Sequence, residues 1–263
     1  MRLRIGSVPY LNAKPLVDWF HSAGCDADVE ITYAVPSELA RMLRQDALDV
    51  ANVSSFEALR VPGLALVPNI SISATGPVKS VRLFSRVPMD SIRSVALDTS
   101  SLTSTALTRI LLHESFGLTP CYEHHPPHLD EMLSSCDAGL IIGDLKLFDL
   151  HPGTTVYDLG QGWHDLTGLP FVYAAWLARE DRASAEMVEI LTAAKAWGTA
   201  RLDELAHTWS LKLDLPLPRC QDYFFNVMQY DLTPAHLEGL RLFQQKCHAH
   251  ALIDTLLPLH FLT

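Results

Sequence analysis

The sequence predicts an α/β protein of two lobes with a ligand cleft between them, and its hydrophobic pattern supports this fold class in two ways. Short apolar segments alternate with segments of helical periodicity in two successive series, at residues 4–67 and 94–177. Extended stretches near 76–86 and 171–178 join the series, and a helical tail follows. We therefore predict one lobe of residues 1–79 plus 179–263 and a second lobe of residues 80–178, with small molecules bound between them.

The composition excludes several classes of protein. The 263 residues are 48% hydrophobic and carry a formal net charge of −10, without a run rich in lysine and arginine. No nucleic-acid partner is therefore expected. No apolar run reaches the ~18 residues of a membrane span, and the N-terminus lacks the pattern of a signal peptide. We expect a soluble cytoplasmic protein without a membrane partner, whose acidic balance still permits an anionic small ligand.

The first strand and helix enclose a polar loop. Residues 4–8 are short and partly apolar and end at a proline, as a strand does. Pro15 suits the first turn of a helix, and Gly24 is placed to end it. Tyr10 and Asn12 then lie at the carboxyl end of the strand, the edge where open α/β sheets bind ligands. A tight turn in which Asn12 only caps the helix explains the pattern equally well.

The remaining elements of the first series follow the same alternation. Pro36 begins a helix, and Ser54 with Glu57 three residues later forms a capping-box pattern, so another helix is predicted there. This places Ser54 and Ser55 at the carboxyl end of a strand. The strands of this series are predicted, from their short apolar runs, at residues 29–33, 48–53 and 64–67.

The second series repeats this order, and the tail is helical. Gly117 is placed to end a helix that begins at the hydroxyl-rich run 99–105, while Thr233 and Pro234 begin the last helix. Apolar runs predict strands at residues 78–84, 94–97, 121–123, 138–142, 154–158 and 171–177. Helical spacing predicts further helices at residues 129–133, 159–168, 184–202, 205–213, 219–227 and 234–248.

The run 99–105 is the sharpest local indication of a ligand. Six of its seven residues are serine or threonine, Thr103 and Ser104 among them, and a helix begins there. A helix N-terminus leaves backbone N–H groups free and carries partial positive charge, which suits a carboxylate or phosphate. An ordinary N-cap with surface hydroxyls is the alternative. Asp144 is equally compatible with a helix cap and a ligand contact, and Ser80 is placed to reach the cleft or solvent.

Metal and nucleotide sites are not expected from the pattern. The five cysteines are scattered and lack a C-x-x-C pair, which indicates reduced thiols. The histidines of residues 124–128 flank two prolines without a nearby carboxylate pair, as in a surface loop. No P-loop or G-x-G-x-x-G pattern is present. If the protein is an enzyme, it works through hydrogen bonds, helix ends and shape.

Several motifs resemble one known family across most of the chain. They are VPYLNAKPL at residues 8–16, GPVKS at 76–80, the hydroxyl run 99–105, IGD at 142–144, and the segment from Trp163 through TGLPFVYAAW at 167–176. Together they resemble the chorismate dehydratases of the futalosine route to menaquinone. The resemblance implies the fold of type II periplasmic binding proteins and a reaction without metal or organic cofactor. It also implies the removal of water from chorismate, a dianion, to give 3-[(1-carboxyvinyl)oxy]benzoate.

The resemblance also assigns roles to residues. It implies that Asn12 orients the reacting hydroxyl, that Ser80 lies beside it, and that the enolpyruvyl carboxylate of the substrate is the base. The side chains expected to bind substrate are Tyr10, Ser54, Ser55, Thr103, Ser104, Asp144 and Phe171. Two alternatives stay open. One is the related 1,4-dihydroxy-6-naphthoate synthase, with His164 as its candidate base, and the other is a non-catalytic anion-binding protein. Monomer and homodimer are equally compatible with the sequence.

Overall fold

The computed structural model describes residues 2–144 and 147–262, and its strands form two five-stranded sheets. The first sheet contains Leu3–Ser7 (β1), Val29–Tyr33 (β2), Val50–Ser54 (β3), Leu64–Ala74 (β4) and Phe171–Arg179 (β10). The second contains Val81–Ser85 (β5), Ser94–Asp98 (β6), Cys121–His125 (β7), Ala138–Ile142 (β8) and Thr155–Asp158 (β9). The predicted α/β architecture with two strand–helix series is confirmed.

Ten helices accompany the strands in the described residues. Those before β9 are Lys14–Val17 (α1), Pro36–Arg44 (α2), Phe56–Arg60 (α3), Thr103–Phe116 (α4) and Leu129–Ser135 (α5). The later ones are Leu159–Thr167 (α6), Ala185–Thr199 (α7), Leu202–Leu213 (α8), Leu217–Asp222 (α9), which continues as a π-turn Tyr223–Val227, and Pro234–Ala249 (α10). Within this part of the chain, none of them has the length and apolar character that crossing a membrane requires.

The two sheets share one plan. Their strand orders are β2-β1-β3-β10-β4 and β7-β6-β8-β5-β9. In each sheet three strands run parallel and another strand pairs antiparallel beside them, β10 against β3 and β5 against β8. β10 fills the gap between β3 and β4, so the chain has returned to the first sheet by residue 171. The predicted division of the chain assigned residues 171–178 to the second lobe, whereas β10 belongs to the first sheet. The apolar run that predicts this strand does not show which strands it pairs with.

Most helix boundaries follow the sequence, and one helix is shorter than predicted. Gly117 ends α4 with a φ of 68°, and Thr233 with His236 forms a capping box at the start of α10. The helix expected to run to Gly24 instead breaks after Val17 into a 3-10 turn. At the break, the Trp209 indole N–H donates to Asp18 Oδ2 at 2.5 Å, a contact between distant segments that local spacing does not predict.

Helix α7 fixes the polar loop that follows β1 through a close contact at Gly198. A Cβ atom at Gly198 would lie 1.9 Å from the Pro15 carbonyl oxygen, which belongs to the backbone of α1. Only glycine therefore permits α7 to pass this close to the segment that carries Tyr10 and Asn12.

We expect Gly198→Ala to lower the free energy of unfolding by about 1–3 kcal/mol, because the new methyl group must push the two backbones apart. Denaturant unfolding measures this change. Gly24→Ala is the matched control, since its Cβ would meet only the Ser22 hydroxyl at 3.9 Å. Equal stability of the two variants would contradict the close contact.

Candidate active-site cleft

A cleft lies where the carboxyl ends of the parallel strands of both sheets meet. The turns after β1, β3 and β6 all contribute to it, as their polar residues predict. Of the predicted site residues, six line the cleft: Tyr10, Asn12, Ser54, Ser80, Thr103 and Ser104. The cleft therefore brings polar side chains from segments more than ninety residues apart in the sequence, from Tyr10 to Ser104, onto one surface.

A hydroxyl pair connects the walls of the cleft. Ser54 Oγ, after β3, hydrogen bonds to Thr103 Oγ1 at the start of α4, and Thr103 Oγ1 also donates to the Tyr173 carbonyl at 3.0 Å. The predicted capping box is wrong, because Ser55 is the N-cap of α3 and makes no side-chain cap bond. Glu57 instead pairs with Arg44 and Arg60. The Ser54 hydroxyl is thereby left to face the other sheet.

Asn12 and Ser80 lie together with a tyrosine that the sequence did not single out. The Tyr223 hydroxyl, in the π-turn after α9, donates to Ser80 Oγ at 2.8 Å. Burial raises the pKa of Tyr223, and hydrogen bonding by Ser80 and Asn12 opposes this rise. Tyr223 is completely buried, so its hydroxyl stays protonated and is a fixed donor at this corner of the cleft.

One carboxylate holds the segment that carries Ser80. Asp158 accepts hydrogen bonds from the backbone N–H groups of Val78 (3.0 Å) and Lys79 (2.7 Å). It also caps α6 by accepting from Gly160 N at 2.9 Å and from Gln161 N. Lys79 has a φ of 64°, which turns the chain so that Ser80 faces the cleft. The position of Ser80 is therefore fixed by the backbone hydrogen bonds that Asp158 accepts from the two preceding residues.

Several cleft residues offer polar atoms that no other described residue uses. Asn12 Oδ1, both amide atoms of Asn52 and the Tyr173 hydroxyl are buried without a hydrogen-bond partner in the described chain. All three residues line the cleft. Buried polar groups are almost always paired in folded proteins, since leaving one unpaired costs about 1–3 kcal/mol. Their concentration here indicates a ligand that supplies the missing partners.

Asn12 does not serve as a helix cap. The N-caps of the adjoining 3-10 turn and of α1 are Tyr10 and Ala13, and neither cap involves a side-chain bond. The alternative in which Asn12 only ends a tight turn therefore lacks support in the structure. Its amide is free to contact a ligand.

The described lining combines apolar side chains with hydroxyls and amides and carries no charged side chain. It contains no lysine, arginine, histidine, aspartate or glutamate among residues 2–144 and 147–262. Positive potential comes instead from the N-terminus of the fourteen-residue helix α4, beside Thr103 and Ser104. Burial and the nearby Asp98 raise the pKa of Tyr10 to about 12, so the Tyr10 hydroxyl stays protonated at neutral pH and can donate a hydrogen bond. This lining provides hydrogen bonds and no group that would act as a strong base near pH 7.

Asp144 holds the wall opposite Asn12. Its carboxylate oxygens accept from the Leu11 N–H at 2.9 and 3.1 Å, which ties the loop after β8 to the loop after β1. Gly143, with a φ of 70°, lets the Tyr10 ring approach, since a Cβ there would lie 2.9 Å from Tyr10 Cε1. Burial raises the pKa of Asp144 to about 6, against the opposing effects of Leu11 N and Lys14.

The raised pKa of Asp144 predicts a pH-dependent stability. In the folded protein Asp144 keeps its proton up to about pH 6, whereas in the unfolded chain it loses the proton near pH 3.8. The stability that protonated Asp144 contributes is therefore complete below pH 3.8 and is lost as the pH rises through about 6. Two pKa units correspond to about 3 kcal/mol. We expect Asp144→Asn to gain up to that amount relative to wild type between pH 4 and pH 7, measured by urea unfolding. Parallel pH profiles for the two proteins would contradict this.

Three predicted site residues, Ser55, Asp144 and Phe171, are not part of the lining. Ser55 Oγ donates to the Val172 carbonyl at 2.6 Å, and the Phe171 ring packs in the core against Trp163 and Phe243. These contacts support the walls. His164, the base considered for the related synthase, also lies outside the lining, so no described observation favours that alternative.

Comparison with known proteins gives consistent matches over nearly the whole chain. A family model described as menaquinone biosynthesis matches residues 3–249. The chain is 33% identical over 260 residues to a chorismate dehydratase of Thermus thermophilus, covering 92% of this chain and 93% of that protein. It is 26% identical to a chorismate dehydratase of Campylobacter jejuni, covering 93% and 97% of the two chains.

Solved structures support the fold. A protein of Archaeoglobus fulgidus superposes with a TM-score of 0.76 at 16% identity, covering 96% of this chain and 98% of that one. The periplasmic aliphatic sulphonate binding protein SsuA of Escherichia coli superposes with a TM-score of 0.65 at 14% identity, covering 100% and 94%. These likenesses confirm the predicted periplasmic-binding-protein-like fold, in which two sheets face a common cleft.

Proposed function

Since the chain belongs to the menaquinone biosynthesis family, we propose that it is a chorismate dehydratase, a hydro-lyase that converts chorismate to 3-[(1-carboxyvinyl)oxy]benzoate. The resemblance of its motifs and its 33% identity to the Thermus thermophilus enzyme support this activity. The observation that carries the proposal is the cluster of Asn12, Ser80 and Tyr223, which places an unpartnered amide oxygen and the Ser80 hydroxyl in the cleft, with the buried Tyr223 hydroxyl bonded to Ser80.

The cleft suits a substrate with two carboxylates. The Ser104 hydroxyl and the N-terminus of α4 provide donors for one carboxylate. Tyr10 and the amide of Asn52 provide donors on other walls. Uncharged hydrogen-bond donors suit a substrate whose own carboxylate takes part in the reaction. They bind that carboxylate without neutralising its negative charge, as a lysine or arginine would.

The reaction removes a ring proton and the neighbouring hydroxyl group. The C–H electron pair becomes a ring double bond as the C–O bond breaks, the departing hydroxide takes up a proton to leave as water, and the ring becomes aromatic. Asn12 orients the departing hydroxyl, with Ser80 beside it. The family resemblance implies that the carboxylate of the enolpyruvyl group is the base, and a described lining without carboxylate or imidazole side chains is consistent with this role. Orientation of this kind supplies up to about 7–11 kcal/mol of barrier lowering.

Incubation of purified protein with chorismate tests the proposal. Chromatography should show loss of chorismate and the matching appearance of the aromatic ether acid, at a rate above that of a protein-free blank. Asn12→Ala, confirmed as folded by circular dichroism, is the matched negative control. Chorismate loss no faster than the blank, with folded wild-type protein, would rule out the proposed activity. Tight binding of unreacted chorismate would then favour an anion-binding protein.

A further inference from the structure

Three metal-binding side chains meet at the outer edge of the second sheet, away from the cleft. Glu123 and His125 lie two residues apart on β7, the edge strand of that sheet, and therefore share a face. Cys136 follows α5, which packs against β8 and β6 of the same sheet. One donor atom from each of the three side chains lies within 4.8 Å of the other two, and His125 Nε2 is 3.3 Å from Glu123 Oε2.

The donors match the preferences of one group of metal ions. A thiolate, an imidazole and a carboxylate are the ligand types of zinc sites, in which ligand bonds of about 2.0–2.3 Å in tetrahedral geometry space the donors about 3.3–3.7 Å apart. The two donor atoms that lie farthest apart, up to 4.8 Å, must therefore approach each other by about 1 Å when the ion binds. The Glu123 side chain is 54% exposed and so free to move. The fourth coordination position of the metal ion would face solvent and could be filled by water.

The Cys136 thiol distinguishes this cluster from an ordinary surface ion pair. The residue is completely buried, so its sulfur is held in place. A metal ion would bind it as the thiolate, and the thiol proton would leave to solvent as the sulfur–metal bond forms. The side chains of His125 and Glu123, 23% and 54% exposed, would close over the sulfur from the surface.

We propose that Glu123, His125 and Cys136 form a binding site for a divalent transition-metal ion of the zinc class. The ion would join the end of α5 to β7 and stabilise the edge of the second sheet, without a part in catalysis. The sequence interpretation set aside the histidines of residues 124–128 because it found no carboxylate pair near them. The structure supplies one carboxylate from the same strand and a thiol eleven residues further along the chain.

Cobalt titration tests the site, because Co²⁺ bound to a thiolate shows a near-ultraviolet charge-transfer band and tetrahedral Co²⁺ absorbs strongly in the visible range. The metal-free protein should carry Cys121→Ser, which removes an exposed thiol of the same strand. We expect one Co²⁺ per chain, displaced by Zn²⁺, and a Zn²⁺-dependent rise in Tm. Cys136→Ala should abolish the band, and His125→Ala or Glu123→Gln should weaken Co²⁺ binding at least tenfold.

His124→Ala is the matched control, since His124 is exposed and lies on the opposite face of β7. It should bind Co²⁺ as tightly as the parent protein. The proposal fails if the parent shows no charge-transfer band, if the band survives in Cys136→Ala, or if His124→Ala weakens binding as much as His125→Ala. His125→Ala keeps the buried thiol, so it remains informative if Cys136→Ala does not fold.

Discussion

Asn12→Ala should lower kcat for chorismate dehydration by about 10³-fold, while Tm changes little. The amide lies in the cleft with its Oδ1 unpartnered and caps neither neighbouring helix, so its removal takes away a substrate contact and, within the protein, only the hydrogen bond to Tyr223. Loss of one oriented hydrogen-bonding group at a reacting centre typically costs about 10²–10³-fold, and an amide that also fixes the leaving hydroxyl should lie at the upper end. Steady-state kinetics with chorismate measure the effect.

A surface amide provides the comparison for this variant. Asn226 is exposed and its amide donates to Asp222, outside the cleft lining. Asn226→Ala should retain wild-type kcat. A fall in stability of Asn12→Ala that parallels its loss of activity would instead assign Asn12 a structural role.

Tyr223→Phe should lower kcat by about 10²-fold with a smaller change in KM. The variant removes the buried hydroxyl that donates to Ser80 at 2.8 Å and leaves the ring in place. Without this donor the Ser80 hydroxyl is free to rotate, so the geometry of the reacting corner is lost more than the affinity for substrate. The free energy of unfolding should fall by only about 1 kcal/mol, the usual contribution of one hydrogen bond.

Tyr230 is a closely matched control for this substitution. It is also buried, and its hydroxyl has no hydrogen-bond partner among the described residues. Tyr230→Phe should therefore keep both kcat and stability. If Tyr223→Phe and Tyr230→Phe lose activity equally, the bond between Tyr223 and Ser80 does not position the reaction.

The loops at strand ends were predictable because their residues act locally. Proline in a first helical turn, hydroxyls before a helix and short apolar runs mark where β1, β3 and β6 end, and the carboxyl-edge rule then brings Tyr10, Asn12, Ser54 and Thr103 together. Asn52 was also accessible to this reasoning. It is an amide inside the buried strand β3, where a polar residue needs a partner or a ligand.

Contacts between distant segments were beyond the same reasoning. Tyr223 lies 143 residues after Ser80, in a π-turn that no local pattern distinguishes from the surrounding helices. The sequence spacing of Ser54 and Glu57 fits a capping box, yet the partners of both side chains come from other elements. β10 likewise joins the first sheet because it pairs with β3 and β4, strands that lie far from it in the sequence.

The bond between Ser54 and Thr103 also bears on how the enzyme completes a cycle. The aromatic product keeps both carboxylates of chorismate, so the donors that hold the substrate hold the product as well. Because that bond joins the two walls, product release requires the walls to separate, and accumulated product competes with chorismate for the cleft.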